Sequence, residues 1–215
     1  MYKAIAFINL KGGVAKSTSA VHLCRYLLSK QKTVALVDTD SQATSSTWIN
    51  TLAESIPRPR VYRITDPDPL LDAVPGMIEN FDHVVIDGAG GLAEVQRAIL
   101  FLSDLVLIPI QPSFPDIAAS NEAIAAVRRV RKLRDNRPDA RTFLTRVLRN
   151  TLLLKEAKEA LSTYRDVPLL ASQIPQRQIG ADVMGQNTTL FDLKSEPASE
   201  LANCYRELFK EVALG

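Results

Sequence analysis

Short runs of consecutive apolar residues alternate along this chain with segments of helical spacing, and this alternation restricts its possible folds more than any other feature. The apolar runs lie at residues 5–8, 34–37, 84–86 and 105–108, with a further candidate around 143–147. Helical spacing is found near residues 17–30, 92–102, 116–134, 152–164 and 199–212. Continuous apolar runs are typical of strands that are covered on both faces. The order predicts a doubly wound α/β fold with a mostly parallel sheet and helices on both faces.

The length and composition suit one globular domain, which we expect to cover residues 1–215. With 46% apolar and 23% charged residues, a chain of 215 residues can bury a proper core. Five of the 12 prolines lie between Pro57 and Pro75, a stretch that we expect to be irregular surface with short elements at most. No apolar run approaches the ~20 residues of a membrane span, and the first residues do not resemble a signal peptide. We therefore expect a cytoplasmic protein that does not bind membranes.

A glycine-containing segment between the first predicted strand and the first predicted helix has the features of a phosphate-binding loop. Paired glycines let a backbone turn tightly and point its N–H groups at an anion, and the following helix adds its positive N-terminal end. Lys16 can then reach the β- and γ-phosphates, and the Ser17 hydroxyl can bind Mg²⁺. The candidate nucleotide-binding residues of this loop are Gly12, Gly13, Val14, Ala15, Lys16, Ser17 and Thr18.

The same segment, with the lysine before it, resembles the deviant Walker A motif K-G-G-x-x-K-[ST] of the ParA/MinD superfamily of ATPases. The ordinary pattern G-x-x-x-x-G-K-[ST] is not met, because Leu10 and Ala15 occupy its glycine positions. The resemblance implies ATP and Mg²⁺ as cofactors and a homodimer with the nucleotides between its subunits. It also implies that Lys11 is catalytic and reaches the phosphates bound by the partner, as an arginine finger does. If Ala15 has a positive φ, it carries about 1 kcal/mol of strain.

Carboxylates follow two other predicted strands. Asp38-Thr39-Asp40-Ser41-Gln42 resembles the family's switch I motif D-x-D-P-Q, with serine in place of proline, and Asp87-Gly88-Ala89-Gly90 resembles its Walker B and switch II segment. The resemblance implies that Asp38, Asp87 and Ser17 hold Mg²⁺. It assigns Asp40 to the attacking water, as a catalytic residue beside Lys11 and Lys16, and lets Gly88 and Gly90 move with the γ-phosphate. Such carboxylates converge where open α/β sheets bind ligands.

Three later segments resemble parts of the same family less specifically. Residues 109–116 resemble a proline-rich segment that borders the base and supports dimer contacts, although a stiff loop leading into a helix at Asp116 is an equally good interpretation. Arg146 and Pro175 lie where relatives place residues around the adenine and the interface. We therefore include both residues among the candidates for nucleotide binding.

The region from Arg128 to Arg146 is strongly basic. It contains eight basic and two acidic residues, whereas the net charge of the whole chain is only +2. A run of charge is usually a solvated helix face, but this asymmetry favours a patch for the DNA backbone. Few aromatic residues accompany it, so sequence reading by stacking is not expected. The candidate DNA contacts are Arg128, Arg129, Arg131, Lys132 and Arg134.

Features missing from the sequence narrow the resemblance to short ParA proteins. Paired cysteine ligands and a cationic terminal helix, which mark iron–sulfur and MinD-like members, are not found. The chain thus resembles ParF-like plasmid partition ATPases and McdA-type ATPases that space carboxysomes. This implies ATP-bound dimers on nucleoid DNA, released when a small adaptor protein of the ParB, ParG or McdB type stimulates hydrolysis, so that a plasmid, chromosome region or carboxysome is moved. The alternative is an ATP-dependent ligase of the dethiobiotin-synthetase type, which shares the phosphate loop.

Overall fold

The computed structural model describes residues 2–91 and 93–214. Its seven strands are β1 (Ala4–Phe7), β2 (Val34–Asp38), β3 (Arg60–Arg63), β4 (His83–Asp87), β5 (Leu105–Ile110), β6 (Asp139–Val147) and β7 (Leu169–Pro175). They form one sheet in the order β3-β2-β4-β1-β5-β6-β7, and every neighbouring pair is parallel. The strand that leads into the phosphate loop therefore lies in the centre of the sheet.

Helices cover both faces of this sheet. They are α1 (Lys16–Ser29), α2 (Thr44–Thr51), α3 (Pro67–Asn80), α4 (Ala93–Leu102), α5 (Phe114–Arg131), α6 (Leu152–Ser162), α7 (Gln178–Asp182) and α8 (Glu196–Glu211), with a 3₁₀ turn at Met184–Gln186. Side chains alternate across a strand, so Ile5 and Phe7 pack with α1, α2 and α8, while Ala6 and Ile8 pack with α3 to α6. The predicted doubly wound α/β fold is confirmed.

The prediction for the proline-rich stretch is wrong. This stretch contains the edge strand β3 and most of α3, a helix of 14 residues. Pro67 is the first residue of α3, where its missing N–H costs nothing, and Pro75 is exposed. A buried stripe at helical spacing, formed by Leu70, Val74 and Met77, binds α3 to the sheet and outweighs the prolines.

The strand register brings the candidate carboxylates together. Asp38 is the last residue of β2 and lies directly opposite Asp87, the last residue of β4. Asp87 in turn lies opposite Phe7, where β1 ends and the phosphate loop begins. All three strand ends therefore meet at one edge of the sheet, which is where open α/β folds bind ligands. None of the helices in the two described ranges is long and apolar enough to cross a membrane.

Candidate functional site

The phosphate loop has two residues in the left-handed region of backbone conformation. Gly13 has φ +76°, which glycine adopts without strain, and Ala15 has φ 68° at the N-terminal cap of α1. The expected strain at Ala15 is therefore present. A backbone held in this conformation points its N–H groups into a concave loop, and the N-terminus of α1 lies directly behind it.

Lys16 is almost fully buried at the bottom of this loop. Its ammonium group donates a hydrogen bond to the carbonyl oxygen of Lys11 at 2.9 Å, and the residue is only 7% exposed. Burial lowers the pKa of Lys16, while the nearby Asp87 and Asp40 carboxylates act in the opposite direction. A lysine held across its own loop in this way is in position to bind an anion that enters the loop.

The two buried carboxylates differ in their surroundings. Asp38 accepts hydrogen bonds from the backbone N–H groups of Asp40 at 3.0 Å and Ser46 at 2.8 Å. Asp87 is 1% exposed, and neither of its carboxylate oxygens has a partner at good hydrogen-bond geometry, although the Ser17 and Ser45 hydroxyls lie close to the carboxylate. Burial raises the pKa of Asp87 to about 7, although the Ser17 and Ser45 hydroxyls and the Lys16 ammonium partly oppose this.

A bound cation would stabilise the charged form of this buried carboxylate, and its surroundings fit Mg²⁺. Mg²⁺ is usually held by one or two carboxylates together with a hydroxyl, waters and substrate phosphates. Asp87, Asp38 and Ser17 provide such a set beneath the phosphate loop. No cluster of three or more acidic, histidine or cysteine ligands is found among the described residues, so a metal held by protein groups alone is not indicated there.

A cavity of about 620 Å³ opens above these buried groups. Among the residues that line it are Gly12, Gly13, Ala15, Lys16, Ser17, Thr18, Asp40, Gly90 and Arg146. Most of the predicted loop, together with Asp40, therefore faces one space. Val14 does not line it, because its side chain is buried and its carbonyl oxygen accepts a hydrogen bond from the Thr145 hydroxyl at 3.2 Å.

A second cavity of about 200 Å³ adjoins the first, because Ala15, Thr18 and Arg146 line both. Apolar and polar side chains both line the second cavity, as a pocket for a nucleotide base requires. Thr18, Arg146, Pro175 and Tyr205 are among its lining residues. Arg146 lines both cavities and has a positive φ of 50°, so a strained backbone holds it between them. The structure thus places Arg146 and Pro175 beside the phosphate loop, although they are far from it in sequence.

Lys11 does not line either cavity. Its ammonium group forms an ion pair with Asp116 at 2.7 Å, and its side chain remains 41% exposed. Asp116 lies in the first turn of α5, is 1% exposed, and also accepts a hydrogen bond from the Ser113 hydroxyl. Ser113 caps this helix, so the loop between β5 and α5 is only residues 111–113, and the helix begins at Phe114, two residues before the expected Asp116.

Sequence reasoning missed several contacts that support the loop. The Gln111 amide donates to the carbonyl oxygen of Gly13 at 2.9 Å, and the Asn9 side chain accepts from the N–H of Lys11 at 3.1 Å. Gly88 is needed for close approach, since a Cβ there would lie 2.6 Å from the carbonyl oxygen of Phe7. Among these residues, only Gly88 belongs to a sequence motif, which implies movement with the γ-phosphate, whereas the structure shows that it also allows close packing against Phe7.

The basic region is only partly available for a ligand. Arg128 forms a bidentate ion pair with Asp166 at 2.7 and 2.8 Å. Arg131 donates to the carbonyl oxygens of Pro138 and Asp166, and Arg134 donates to those of Leu100 and Ser103. Burial lowers the pKa of both Arg131 and Arg134.

This geometry corrects the prediction for the basic patch. Arg131 and Arg134 fasten the end of α5 to neighbouring loops, so they are removed from the candidate DNA contacts. Arg129 and Lys132 are exposed and have no ion pair within the described part of the chain. Because Arg134 contacts residues just before β5, this patch lies at the edge of the sheet opposite the phosphate loop.

Comparison with known proteins agrees with this geometry. A family model described as the CobQ/CobB/MinD/ParA nucleotide binding domain matches residues 5–191. Protein virC1 of Rhizobium radiobacter is 34% identical over 134 residues, which make up 60% of this chain and 56% of that protein. The chromosome-partitioning ATPase Soj of Thermus thermophilus is 24% identical, with 98% of this chain and 95% of Soj aligned.

Two further proteins resemble the chain over nearly its whole length. The maintenance of carboxysome distribution protein A of Halothiobacillus neapolitanus is 26% identical, with 97% of this chain and 95% of that protein aligned. Among solved structures, a complex of Cyanothece McdA with ATP superposes with a TM-score of 0.81 at 16% identity, covering 99% of this chain and 97% of that one. At that identity the superposition establishes the fold.

Proposed function

Because the chain belongs to the CobQ/CobB/MinD/ParA family of nucleotide-binding domains, we propose that this ParA/MinD-type ATPase partitions or positions an intracellular cargo. The proposal treats residues 1–215 as one domain that works as an ATP-dependent homodimer. The observation that carries it is the combination of a loop with both Lys11 and Lys16 and, beneath it, a buried Asp87 without a partner at good hydrogen-bond geometry. The full-length likeness to Soj and to the carboxysome distribution protein supports the cargo class.

The residues of the site suit hydrolysis of a triphosphate. Mg²⁺, held by Ser17, Asp87 and Asp38, would neutralise charge on the β- and γ-phosphates. The backbone of residues 12–18 and the Lys16 ammonium would bind and orient the same phosphates. Asp40 faces the cavity and would accept a proton from, or orient, the attacking water. Arg146 and Pro175 would contact the base or the ribose in the second cavity.

The edge of the sheet that carries the loop is also the surface that suits a second copy. Phe114 is 81% exposed at the start of α5, beside the Lys11–Asp116 pair, and Leu148, Leu152 and Leu153 are more than half exposed after β6. Strands β5 and β6 are neighbours, so these apolar side chains lie at the same edge. Exposed apolar groups of this kind indicate an interface, and they support a dimer in which Lys11 crosses to the partner's nucleotide.

A test of the activity separates the proposal from the alternative. We expect purified protein with Mg²⁺ and ATP to release phosphate without any small acceptor, and double-stranded DNA to be retained by the ATP-bound form. Lys16→Ala should lose nucleotide binding, because its buried ammonium lies at the bottom of the phosphate loop, within 2.9 Å of the loop carbonyl of Lys11. Isothermal titration calorimetry measures nucleotide binding, and a phosphate-release assay measures ATP hydrolysis. ADP formation that requires a small-molecule acceptor would instead support a ligase of the dethiobiotin-synthetase type.

DNA binding by nucleoid-associated dimers in the cytoplasm, and their release by a small adaptor protein, belong to the same proposal. The two exposed cations Arg129 and Lys132 support contacts with phosphates. This patch lies at the amino-terminal ends of the strands, whereas the phosphate loop lies at their carboxyl-terminal ends. A dimer formed across the carboxyl-terminal ends would therefore carry its two patches on opposite sides of the particle. Each patch alone would bind DNA weakly. ATP-dependent dimerisation would join two patches in one particle and so strengthen DNA binding.

Reversing the two exposed charges should weaken DNA binding selectively. In the double variant Arg129→Glu, Lys132→Glu we expect the slope of log K against log salt to fall in magnitude by about 2 for each protomer that contacts DNA, since each phosphate contact contributes about 0.9. Filter binding at several salt concentrations measures this slope. The double variant Lys30→Glu, Lys194→Glu reverses two exposed charges outside this patch and outside the apolar surface after β6, so it is the matched control and should leave the slope unchanged. Equal affinity of the double variant and the wild type would exclude this surface.

A further inference from the structure

The hydroxyl of Thr39 lies between the two candidate switch segments. It donates a hydrogen bond to the carbonyl oxygen of Asp87 at 2.9 Å and accepts one from the N–H of Ala89 at 2.8 Å. The backbone N–H of Thr39 also donates to the Asp87 carbonyl at 3.1 Å. The residue is completely buried. The Thr39 side chain is therefore hydrogen-bonded to the backbone of both Asp87 and Ala89 in the segment that begins at Asp87.

The neighbours of Thr39 on both sides belong to the site. Asp38 precedes it and Asp40 follows it, and the N–H of Asp40 is bonded to the Asp38 carboxylate. On the other segment, Gly90 follows Ala89 and approaches the Lys16 ammonium, since a Cβ at Gly90 would lie 3.8 Å from Nζ. Displacement of either segment by a γ-phosphate would thus pull on the hydrogen bonds of Thr39.

We infer that Thr39 is a positioning residue that couples the Asp38–Gln42 segment to the Asp87–Gly91 segment, so that both reach their hydrolytic arrangement together. The inference rests on the proposed function and adds a residue to which that function assigns no role. This coupling depends on the Thr39 hydroxyl, because that hydroxyl both donates to the Asp87 carbonyl oxygen and accepts from the Ala89 N–H. A valine has nearly the same shape and can do neither, whereas a serine can do both.

Another buried threonine, Thr142, provides a comparison, because its hydroxyl forms no hydrogen bond. Thr142 in β6 is also completely buried, but its hydroxyl has no hydrogen-bond partner. Removing that hydroxyl should therefore cost nothing, while removing the Thr39 hydroxyl leaves the N–H of Ala89 buried without a partner. Thr142→Val is thus a matched control for Thr39→Val, and Thr39→Ser is the conservative variant.

The test compares steady-state ATP hydrolysis and hydrogen exchange in the three variants and the wild type. For Thr39→Val we expect kcat to fall about tenfold while KM for ATP stays within about twofold, because the loss affects the arrangement for reaction and leaves the phosphate loop intact. Exchange of the amides at residues 88–91 should become faster. Thr39→Ser should restore both properties, and Thr142→Val should match the wild type.

Each other outcome has a definite meaning. Faster exchange with an unchanged kcat would make Thr39 a structural residue only and would overturn the inference. A parallel loss in Thr39→Ser would show that the methyl group matters and would overturn it as well. If Thr39→Val is unfolded at the assay temperature, kcat, KM and exchange are compared in all variants at a temperature below its melting transition, where the same two results support or overturn the inference. A wild-type protein that neither binds nor hydrolyses ATP would contradict the proposed function itself.

Discussion

Asp87→Asn should raise the melting temperature of the nucleotide-free protein at neutral pH and remove the stabilisation by Mg²⁺ and nucleotide. The Asp87 carboxylate is buried without a partner at good hydrogen-bond geometry, and its pKa is about 7. Its ionisation therefore opposes folding until a cation is bound. Asparagine keeps the shape and removes the charge. The expected gain is a few kcal/mol in the free energy of unfolding, at about 1.4 kcal/mol per pKa unit.

The pH dependence has a definite sign. An unfolded aspartate has a pKa of about 3.9, so between about pH 4 and 7 the folded protein binds more protons than the unfolded chain. The free energy of unfolding of the wild type should therefore fall as the pH rises through this window, and Asp87→Asn should lose that part of the dependence. Thermal unfolding at pH 5, 6 and 7.5 without nucleotide measures it.

The neighbouring carboxylate is the natural control. Asp38 accepts two backbone hydrogen bonds, so Asp38→Asn should lower the melting temperature under the same conditions. Opposite signs for two adjacent aspartates would show that burial without partners, and not the site as a whole, causes the effect. A decrease for both variants would contradict the prediction that the buried Asp87 charge opposes folding.

The parts of the site that follow from local sequence could be predicted. The loop at residues 12–18 lies between an apolar run and a helical pattern, and Asp38 and Asp87 each end an apolar run. Parallel strands then bring these ends to one edge, so the fold class alone brought the phosphate loop and both carboxylates together. The same motif raised a positive φ at Ala15 as a condition, and Ala15 has φ 68°.

The parts that depend on distant contacts could not be predicted. The pattern of charges around α5 does not reveal that Arg134 binds the carbonyl oxygens of Leu100 and Ser103, because those partners exist only once β5 is in place. The helix α3 was likewise not predicted, because its prolines argue against a helix. What stabilises α3 is the packing of its buried stripe against the sheet, which is a tertiary contact. The Lys11–Asp116 pair joins residues 105 positions apart.

Lys11→Ala should abolish ATP-dependent dimerisation and lower the hydrolysis rate at least 100-fold, while ATP still binds. A second cation at the transferring phosphate is worth about 10³ to 10⁵ in rate in related chemistry. Lys16 and the backbone of the loop remain to bind the nucleotide. Size-exclusion chromatography with light scattering in ATP, together with phosphate release, measures both effects. An unchanged dimer and rate in Lys11→Ala would contradict the crossing of Lys11 between subunits.

Asp116→Asn should act in the opposite direction on the same equilibrium. In the protomer the Lys11 ammonium is bound to Asp116 at 2.7 Å, so Lys11 must leave this carboxylate before it can reach a partner's phosphates. Because the Lys11 side chain is partly exposed, each pair contributes about 1 kcal/mol, and two pairs break in each dimer; their removal should lower the protein concentration at half-dimerisation about 30-fold in ATP. Asparagine still accepts a hydrogen bond from Ser113 and keeps the first turn of α5.

The two variants together separate release of Lys11 from its role at the phosphates. Asp116→Asn should lose its effect when combined with Lys11→Ala, since there is then no lysine to release. If Asp116→Asn weakens the dimer instead, the carboxylate must hold Lys11 in the position from which it reaches the partner. The double variant distinguishes these cases, because only a carboxylate that acts through Lys11 becomes silent when the lysine is absent.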